Sequence, residues 1–242
     1  MTQELARRLS LPAVEWFPEV GSTLDVAHEL AGRGAPAGTL VLADAQSAGR
    51  GRMGRSWRSE PNAGIWLTLI ERPETASGLE VLSLRAGLHM APALDPFAEK
   101  PVQLKWPNDL YVVGRKLGGI LIEARWRERS PEWVAIGVGI NLVAPVEEPA
   151  AIGLRPGVTR DDVLVAIVPA LRDAALRRGL LTESELAAFG KRDVGAGRAC
   201  REPVAGRVRG IDPTGSLLVD VISSPGMPVA VRTGSLVFTE DG

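Results

Sequence analysis

Residues 49–57 read GRGRMGRSW, and Arg50, Arg52, Arg55 and Arg58 put four guanidinium groups into nine positions. Guanidinium is planar, keeps its charge at physiological pH and offers paired donors that match carboxylate or phosphate. Gly49, Gly51 and Gly54 let the backbone approach a ligand closely. Such a stretch is suited to wrapping an anion. Repulsion among the arginines and the entropy of the glycines predict a loop that stays mobile until something negative arrives. A solvated basic loop and an RGG-like RNA-contacting segment are the plainer readings of the composition alone. The stretch is a single insertion after a strand in a folded domain, which favours the first reading.

A second constellation, KWPNDLYVVGRKLGGILIE at 105–123, gathers Lys105, Asn108, Asp109 and Lys116 around a turn between strands. Taken alone, these are solvated lysines and an ordinary turn. Taken together, two lysines and a carboxylate flanking one hairpin could also hold phosphate and a divalent cation. His28 and His89 fall on expected helices with no partnering Cys or Asp pattern, so neither is read as a metal ligand or general base. Cys200 is the one cysteine, which excludes an intrachain disulfide and leaves it as a small apolar filler.

The elements that must position these groups follow from pattern. Ser22 or Thr23 can cap a helix running to about Arg33, with Asp25 in its first turn and Gly32 and Gly34 stopping it. GTLVLADAQ at 38–46 reads as a buried strand entering the glycine–arginine loop. GIWLTLIER at 64–72 is strand-like, and 79–94 carries apolar residues at helical spacing. Closely spaced strand candidates follow between 102 and 142, which predicts an antiparallel or mixed sheet rather than a doubly wound one. Thr159 with Asp161 and Asp162 starts a long helix, and TESELAAFGKR a shorter one. After Asp193, glycines punctuate short β-rich runs, the texture of a small barrel. The expected division is an α+β domain over 1–193 and a small β-barrel over 194–242.

At 242 residues the chain can bury a substantial core. A formal charge of −1, from 28 basic against 29 acidic side chains, gives no global reason to expect nucleic acid or an anionic membrane, so a basic site must be local. No apolar run reaches the roughly 20 residues of a membrane span, and the first residues lack a signal-like apolar stretch. A cytoplasmic protein is expected.

GRGRMGRSW, KWPNDL, RKLGGILIE and GVGIN, in this order and at these separations, resemble the biotin protein ligase family over roughly 14–190, and the tail resembles that family's SH3-like C-terminal domain more loosely. The resemblance implies a class II synthetase-like α+β domain. It also implies that biotin, ATP and Mg²⁺ give biotinyl-5'-AMP, with transfer of biotin to a lysine of a carboxylase carrier domain. On the same grounds Ser22, Thr23, Leu24, Gln46, Gly49, Arg50, Gly51, Arg52, Lys116 and Gly118 would meet biotin. Arg52, Arg55, Trp57, Lys105, Asn108, Lys116 and Asn141 would meet ATP, with Trp57 stacking on adenine. Asp109 would hold the metal. Lys116 and then Arg52 would carry the chemistry, and Gly118 and Gly137 would let backbone near the ligand. Leu24 stands where some members carry asparagine, so a side-chain hydrogen bond is lost there.

Some members add an N-terminal DNA-binding domain. Fewer than 20 residues precede the first matching segment, so no operator binding is expected. A homodimer stays open, since sheet-edge pairing leaves no mark in one sequence. The alternatives are lipoate or octanoate acyl transfer, or a non-catalytic biotin- or RNA-binding protein.

Overall fold

The structure is a computed structural model and describes residues 2–222 and 226–239; residues 223–225 and 240–242 of the expected barrel lie outside the described residues. A seven-stranded mixed sheet carries the molecule. In chain order its strands are β1 (Ala13–Val20), β2 (Thr39–Gln46), β3 (Gly64–Glu71), β4 (Gln103–Lys105), β5 (Asp109–Val112), β6 (Arg115–Arg127) and β7 (Ser130–Asn141). Their spatial order is β1-β2-β3-β7-β6-β5-β4. Only β1 and β2 run parallel, which needs a crossover, supplied by helix α2 (Thr23–Gly32) when α1 is counted as Thr2–Arg8. Neither α1 nor β1 was expected from pattern. AVEWFPEV has its apolar residues broken by Glu15, Pro18 and Glu19, as befits a strand at a sheet edge, where one side needs no ladder partner.

The two faces of this sheet differ. On one, α2 sets Leu24, Ala27 and Ala31 against Val41, Ile70, Trp133 and Ala135, a small cluster of its own. The main core lies on the other face, where α3 (Leu82–Leu94) and α4 (Arg160–Leu176) cover the strands. α4 is capped by Thr159, whose side chain accepts from the amide of Asp162. α5 (Glu183–Arg192) begins with a capping box between Thr182 and Glu185. Arg85 of α3, 1 % exposed, donates to Glu185 at 2.6 Å and to the carbonyls of Gly179 and Leu180, tying α3 to the start of α5.

From Asp193 the chain crosses to a five-stranded antiparallel sheet. Its strands are β8 (Ala199–Glu202), β9 (Gly206–Ile211), β10 (Leu217–Asp220), β11 (Val229–Val231) and β12 (Val237–Phe238), in the order β11-β10-β9-β8-β12. This small sheet is compatible with the barrel expected there. Cys200, Val208, Leu217, Val219 and Leu236 pack into the same apolar cluster as the main core. The Trp106 indole donates to the carbonyl of Gly215 at 2.9 Å, locking the two sheets together. No helix among the described residues is long and apolar enough to cross a membrane.

Candidate active site

The glycine–arginine stretch extends from β2 as a tight hairpin. Gln46 pairs with Ser59 and Arg50 with Ser56 in isolated antiparallel bridges. The amide of Trp57 donates to Gly49 at 2.8 Å, and that of Gly51 to Arg55 at 2.7 Å. The reversal falls at Met53 and Gly54, both left-handed, with φ of 57° and 72°. In this conformation the segment has an internal hydrogen-bond ladder. Charge pairing accompanies it. Arg50 meets Asp25 and Glu123 at 2.9 and 3.1 Å, and Arg58 meets Glu60 and Glu147 at 2.5 Å each, so half of the expected repulsion is neutralised. Arg52 makes only long contacts to neutral acceptors, Asn108 Oδ1 at 3.5 Å and the carbonyl of Gly234 at 3.4 Å. The Arg55 side chain has no hydrogen bond or ion pair among the described residues.

Under this hairpin lies a cavity of about 290 Å³. One end is built by the N-terminus of α2 and the end of β2. Ser22 caps α2, its Oγ accepting from the amide of Leu24 at 3.3 Å. Gln46 Oε1 accepts from the Thr23 amide at 2.8 Å, while its Nε2 donates to Ser59 Oγ at 2.7 Å. Thr68 donates to Thr23 Oγ1 at 2.9 Å. A chain of hydroxyl, amide and main-chain groups is thus held in one orientation at the buried end.

The other end is cationic. Lys105, Lys116, Arg52 and Arg55 converge there around one carboxylate, Asp109. Lys116 Nζ is 2.7 Å from Asp109 Oδ1 and 5.2 Å from the centroid of the Trp57 ring. Burial pulls the Lys105 ammonium below its ordinary value, Asp109 opposing, while Lys116, Arg198 and Arg55 add repulsion. Burial likewise lowers Arg52, again against the pull of Asp109. The Tyr111 hydroxyl, burial first and the Asp109 charge second, is pushed up to about 12, so it stays a neutral phenol beside Lys105.

A β-bulge aims Lys116. Leu110 pairs with Gly118 but Tyr111 pairs with Lys116, so Leu117 has no partner across the ladder. Strict alternation would put Lys116 on the same face as Gly118. The bulge instead buries Leu117 in the core and turns Lys116 into the cavity with Gly119 and Leu121. Of the two strand glycines that the resemblance puts beside the ligand, Gly137 lines the cavity and Gly118 does not; Gly119 and Gly139 line it as well. A Cβ on Gly118 would meet the carbonyl of Gly139 at 2.6 Å, so its smallness serves strand packing. Gly119 and Gly139 face each other across β6 and β7, and the Trp57 indole rests on them: a Cβ on Gly139 would lie 2.6 Å from the ring.

Of the other residues singled out, Ser22, Thr23, Leu24, Gln46, Arg50, Gly51, Trp57, Asn108 and Asp109 also line this cavity. Gly49 and Asn141 do not. Gly49 is packed against the carbonyl of Trp57. Asn141 is buried and donates to the carbonyl of Ile152 at 3.2 Å. The segment it holds pairs with the Lys116 backbone, Lys116 N to Ala150 O at 2.8 Å and Ile152 N to Lys116 O at 2.9 Å, so Asn141 braces the lysine from behind. Ser56, Tyr111, Gly139 and Ser235–Val237 line the cavity and were not chosen. Gly139 lies in the quoted GVGIN motif and could have been; nothing in sequence links Ser235–Val237 of the second sheet to this site. His28 and His89 stand outside it: His28 bonds Trp133 and Glu123, and His89 pairs with Asp173.

Residues 17–141 match the Biotin/lipoate A/B protein ligase family. The chain belongs to that family. Within it, the chain is 34% identical over 219 residues to the Biotin--[acetyl-CoA-carboxylase] ligase of Mycobacterium tuberculosis, covering 83% of this chain and 79% of that one. It is 44% identical over 124 residues to the Bifunctional ligase/repressor BirA of Bacillus spizizenii, a match over 51% of this chain but 38% of the relative's length. Family membership extends to the fold: a biotin protein ligase from Aquifex aeolicus in complex with biotin and ATP superposes with a TM-score of 0.77 at 24% identity, over 95% of this chain and 99% of that one.

Proposed function

We propose that this chain is an ATP-dependent biotin protein ligase that forms biotinyl-5'-AMP and passes the biotinyl group to a lysine of a carboxylase carrier domain in the cytoplasm. The observation that carries the reading is one cavity with two chemically opposite ends: a neutral, pre-oriented hydrogen-bonding end at Ser22, Thr23 and Gln46, and a cationic end at Lys105, Lys116, Arg52 and Arg55. A ligand with a urea-like head, an apolar body and a carboxylate tail fits that polarity. The names of the relatives, which include ligases acting on acetyl-CoA carboxylase, support the same choice of substrate.

In the first step a biotin carboxylate oxygen attacks the α-phosphorus of ATP. The bond from that phosphorus to the α,β-bridging oxygen breaks, and pyrophosphate leaves with the electron pair. The nucleophile needs no base, because a carboxylate is already ionised at neutral pH. The difficulty is bringing two anions together, and fixed cations in a partly dry site lower that barrier. Lys116, aimed by the bulge and held by Asp109, stands where it can neutralise the carboxylate and the α-phosphate. Arg52 and Arg55, uncommitted to any carboxylate among the described residues, reach down from the hairpin, and Lys105 takes the far phosphates. Trp57, against Gly119 and Gly139, offers its ring to adenine, with Asn108 at the rim. In the second step the ε-amine of the acceptor lysine attacks the anhydride carbonyl, AMP leaves and the amine gives up a proton; Lys116 again stabilises the charge developing on the departing phosphate.

The donor set fits Mg²⁺ in one way only. Among the described residues no three His, Cys, Asp or Glu side chains cluster, so a resident cage is not provided. Asp109 is a single carboxylate at the phosphate end, the usual protein contribution to a magnesium ion that arrives on a nucleotide. Magnesium bound there would supply charge neutralisation for the leaving pyrophosphate.

Biotin-dependent exchange of labelled pyrophosphate into ATP tests the reading, with lipoate and octanoate run alongside. Exchange with biotin alone is expected. Exchange with lipoate and not biotin would move the chain to the other branch of its family, and exchange with neither would leave it a binding protein.

A further inference from the structure

The four arginines of the hairpin divide into two kinds. Among the described residues Arg52 and Arg55 meet no carboxylate, whereas Arg50 is held by two, Nη1 on Asp25 Oδ1 at 2.9 Å and Nη2 on Glu123 Oε2 at 3.1 Å. These partners come from different elements. Asp25 sits in the first turn of α2, where the helix dipole favours a carboxylate, and Glu123 comes from β6. Glu123 is itself fixed from behind. The Trp133 indole can only donate, and its Nε1 lies 2.9 Å from His28 Nδ1, so that nitrogen accepts. His28 Nε2 therefore carries the proton and donates to Glu123 Oε2 at 2.9 Å. Trp133 is 8% exposed, so this run of bonds ties Arg50 to the α2 side of the sheet.

We infer that Arg50 is a positioning residue: its side chain tethers the root of the glycine–arginine hairpin to Asp25 and Glu123, and the loop's anion ligands are Arg52 and Arg55. A guanidinium already shared by two carboxylates gains little from a third, whereas the uncommitted pair gains a full partner. Arg58, gripped by Glu60 and Glu147, does the same at the other root, so the hairpin is strapped at both ends with its active charges at the crown. For what the loop covers, this rests on the ligase reading; the tether itself does not.

The test removes the tether from either side. Arg50→Gln deletes the cation. The double variant Asp25→Asn with Glu123→Gln deletes the anions, while glutamine still accepts from His28. Tryptic cleavage after Arg52 and Arg55, followed by mass spectrometry on the full chain, reports how often the hairpin opens. Both variants are expected to speed cleavage roughly three- to tenfold, and the triple variant to be no faster than either. Release of preformed biotinyl-5'-AMP should quicken by the same factor in both, and kcat for exchange in the Asp25→Asn, Glu123→Gln variant should change by less than about twofold, because opening gates escape rather than chemistry. Arg50→Lys, which keeps charge but not the two-pronged grip, should recover only part of the protection.

If Arg50→Gln leaves cleavage unchanged, the tether does not exist. If Arg50→Gln lowers kcat for exchange while the double variant leaves cleavage and exchange alone, Arg50 is an anion ligand and the inference is overturned. Proteolysis uses neither biotin nor nucleotide, so wild-type protein that makes no adenylate would sink the ligase reading and leave the tether result standing.

Discussion

Asp193 stands where the chain leaves α5 for the second sheet, and its carboxyl is held at a cost. Burial pushes it up from the ordinary 3.8 to about 6, against the pull of the Gly195 and Ala196 amides. Oδ1 accepts from Gly195 at 2.7 Å, but Oδ2 is buried with no hydrogen-bond partner among the described residues. Each pH unit between those values corresponds to about 1.4 kcal/mol, so the ionised side chain costs the folded state up to about 3 kcal/mol at neutral pH, and about 1 if solvent reaches it readily. Asp193→Asn keeps an oxygen for the Gly195 amide and removes the charge. It should therefore stabilise the protein by about 1–3 kcal/mol at pH 8, or very roughly 2–10 °C in Tm for a chain of this size. The sign with pH follows from a raised acid: the folded protein takes up a proton before the unfolded chain does. Wild-type stability attributable to Asp193 therefore rises as pH falls through about 6, and the advantage of the asparagine variant shrinks, disappearing near pH 3.8. Urea unfolding of both proteins at pH 8, 6 and 4.5 measures this. A variant less stable than wild type at pH 8, or a difference that does not move with pH, would refute the reasoning.

Lys116→Ala should lower kcat for pyrophosphate exchange by on the order of 10²–10³ while biotin binding measured by calorimetry changes less than about tenfold, because a preorganised charge aimed at the transition state is lost. Gly139→Ala places a methyl 2.6 Å from the Trp57 ring. The indole must shift, so KM for ATP should rise at least about tenfold with biotin affinity preserved, and the tryptophan emission should change. Glu185→Gln removes the partner of the buried Arg85 and should cost on the order of 3 kcal/mol at pH 7. Burial pushes the Glu185 carboxyl up, but hydrogen bonds from Arg85 and Thr182 more than offset it and hold it at about 2, so wild type keeps this contribution above pH 4.5 and loses it as pH falls towards 2. The gap between wild type and the glutamine variant should close over that range.

Much of this arrangement was legible beforehand because local patterning and global fold agree. The capped helix at Ser22, the buried strand over 38–46 and the helix after Thr159 all carry both a start signal and a matching apolar period. β1 was missed because an edge strand buries little and its charges hide the alternation. That Gly119 rather than Gly118 lines the cavity was hidden for a different reason. A bulge is one unpaired residue, and no periodicity announces it, yet it decides which of two neighbouring glycines faces the cavity. The pairing of Arg50 and Arg58 was equally invisible, since Asp25, Glu123 and Glu147 come from distant parts of the chain. Ser235–Val237 reach the cavity only because the second sheet docks against Trp106, a contact between segments more than a hundred residues apart.

The outer strand β1 has a consequence beyond this site. At the opposite border of the seven-stranded sheet, β4 is already sheathed by the departing chain, Val194 N donating to Leu104 O at 2.9 Å. That leaves β1 as the border another polypeptide could add to, and it is spoiled for that purpose: Pro18 has no amide proton and no register partner, while Glu15 and Glu19 stand exposed. Two such borders laid side by side would crowd four carboxylates together, so runaway stacking of copies into fibrils is discouraged by the same residues that disguised the strand.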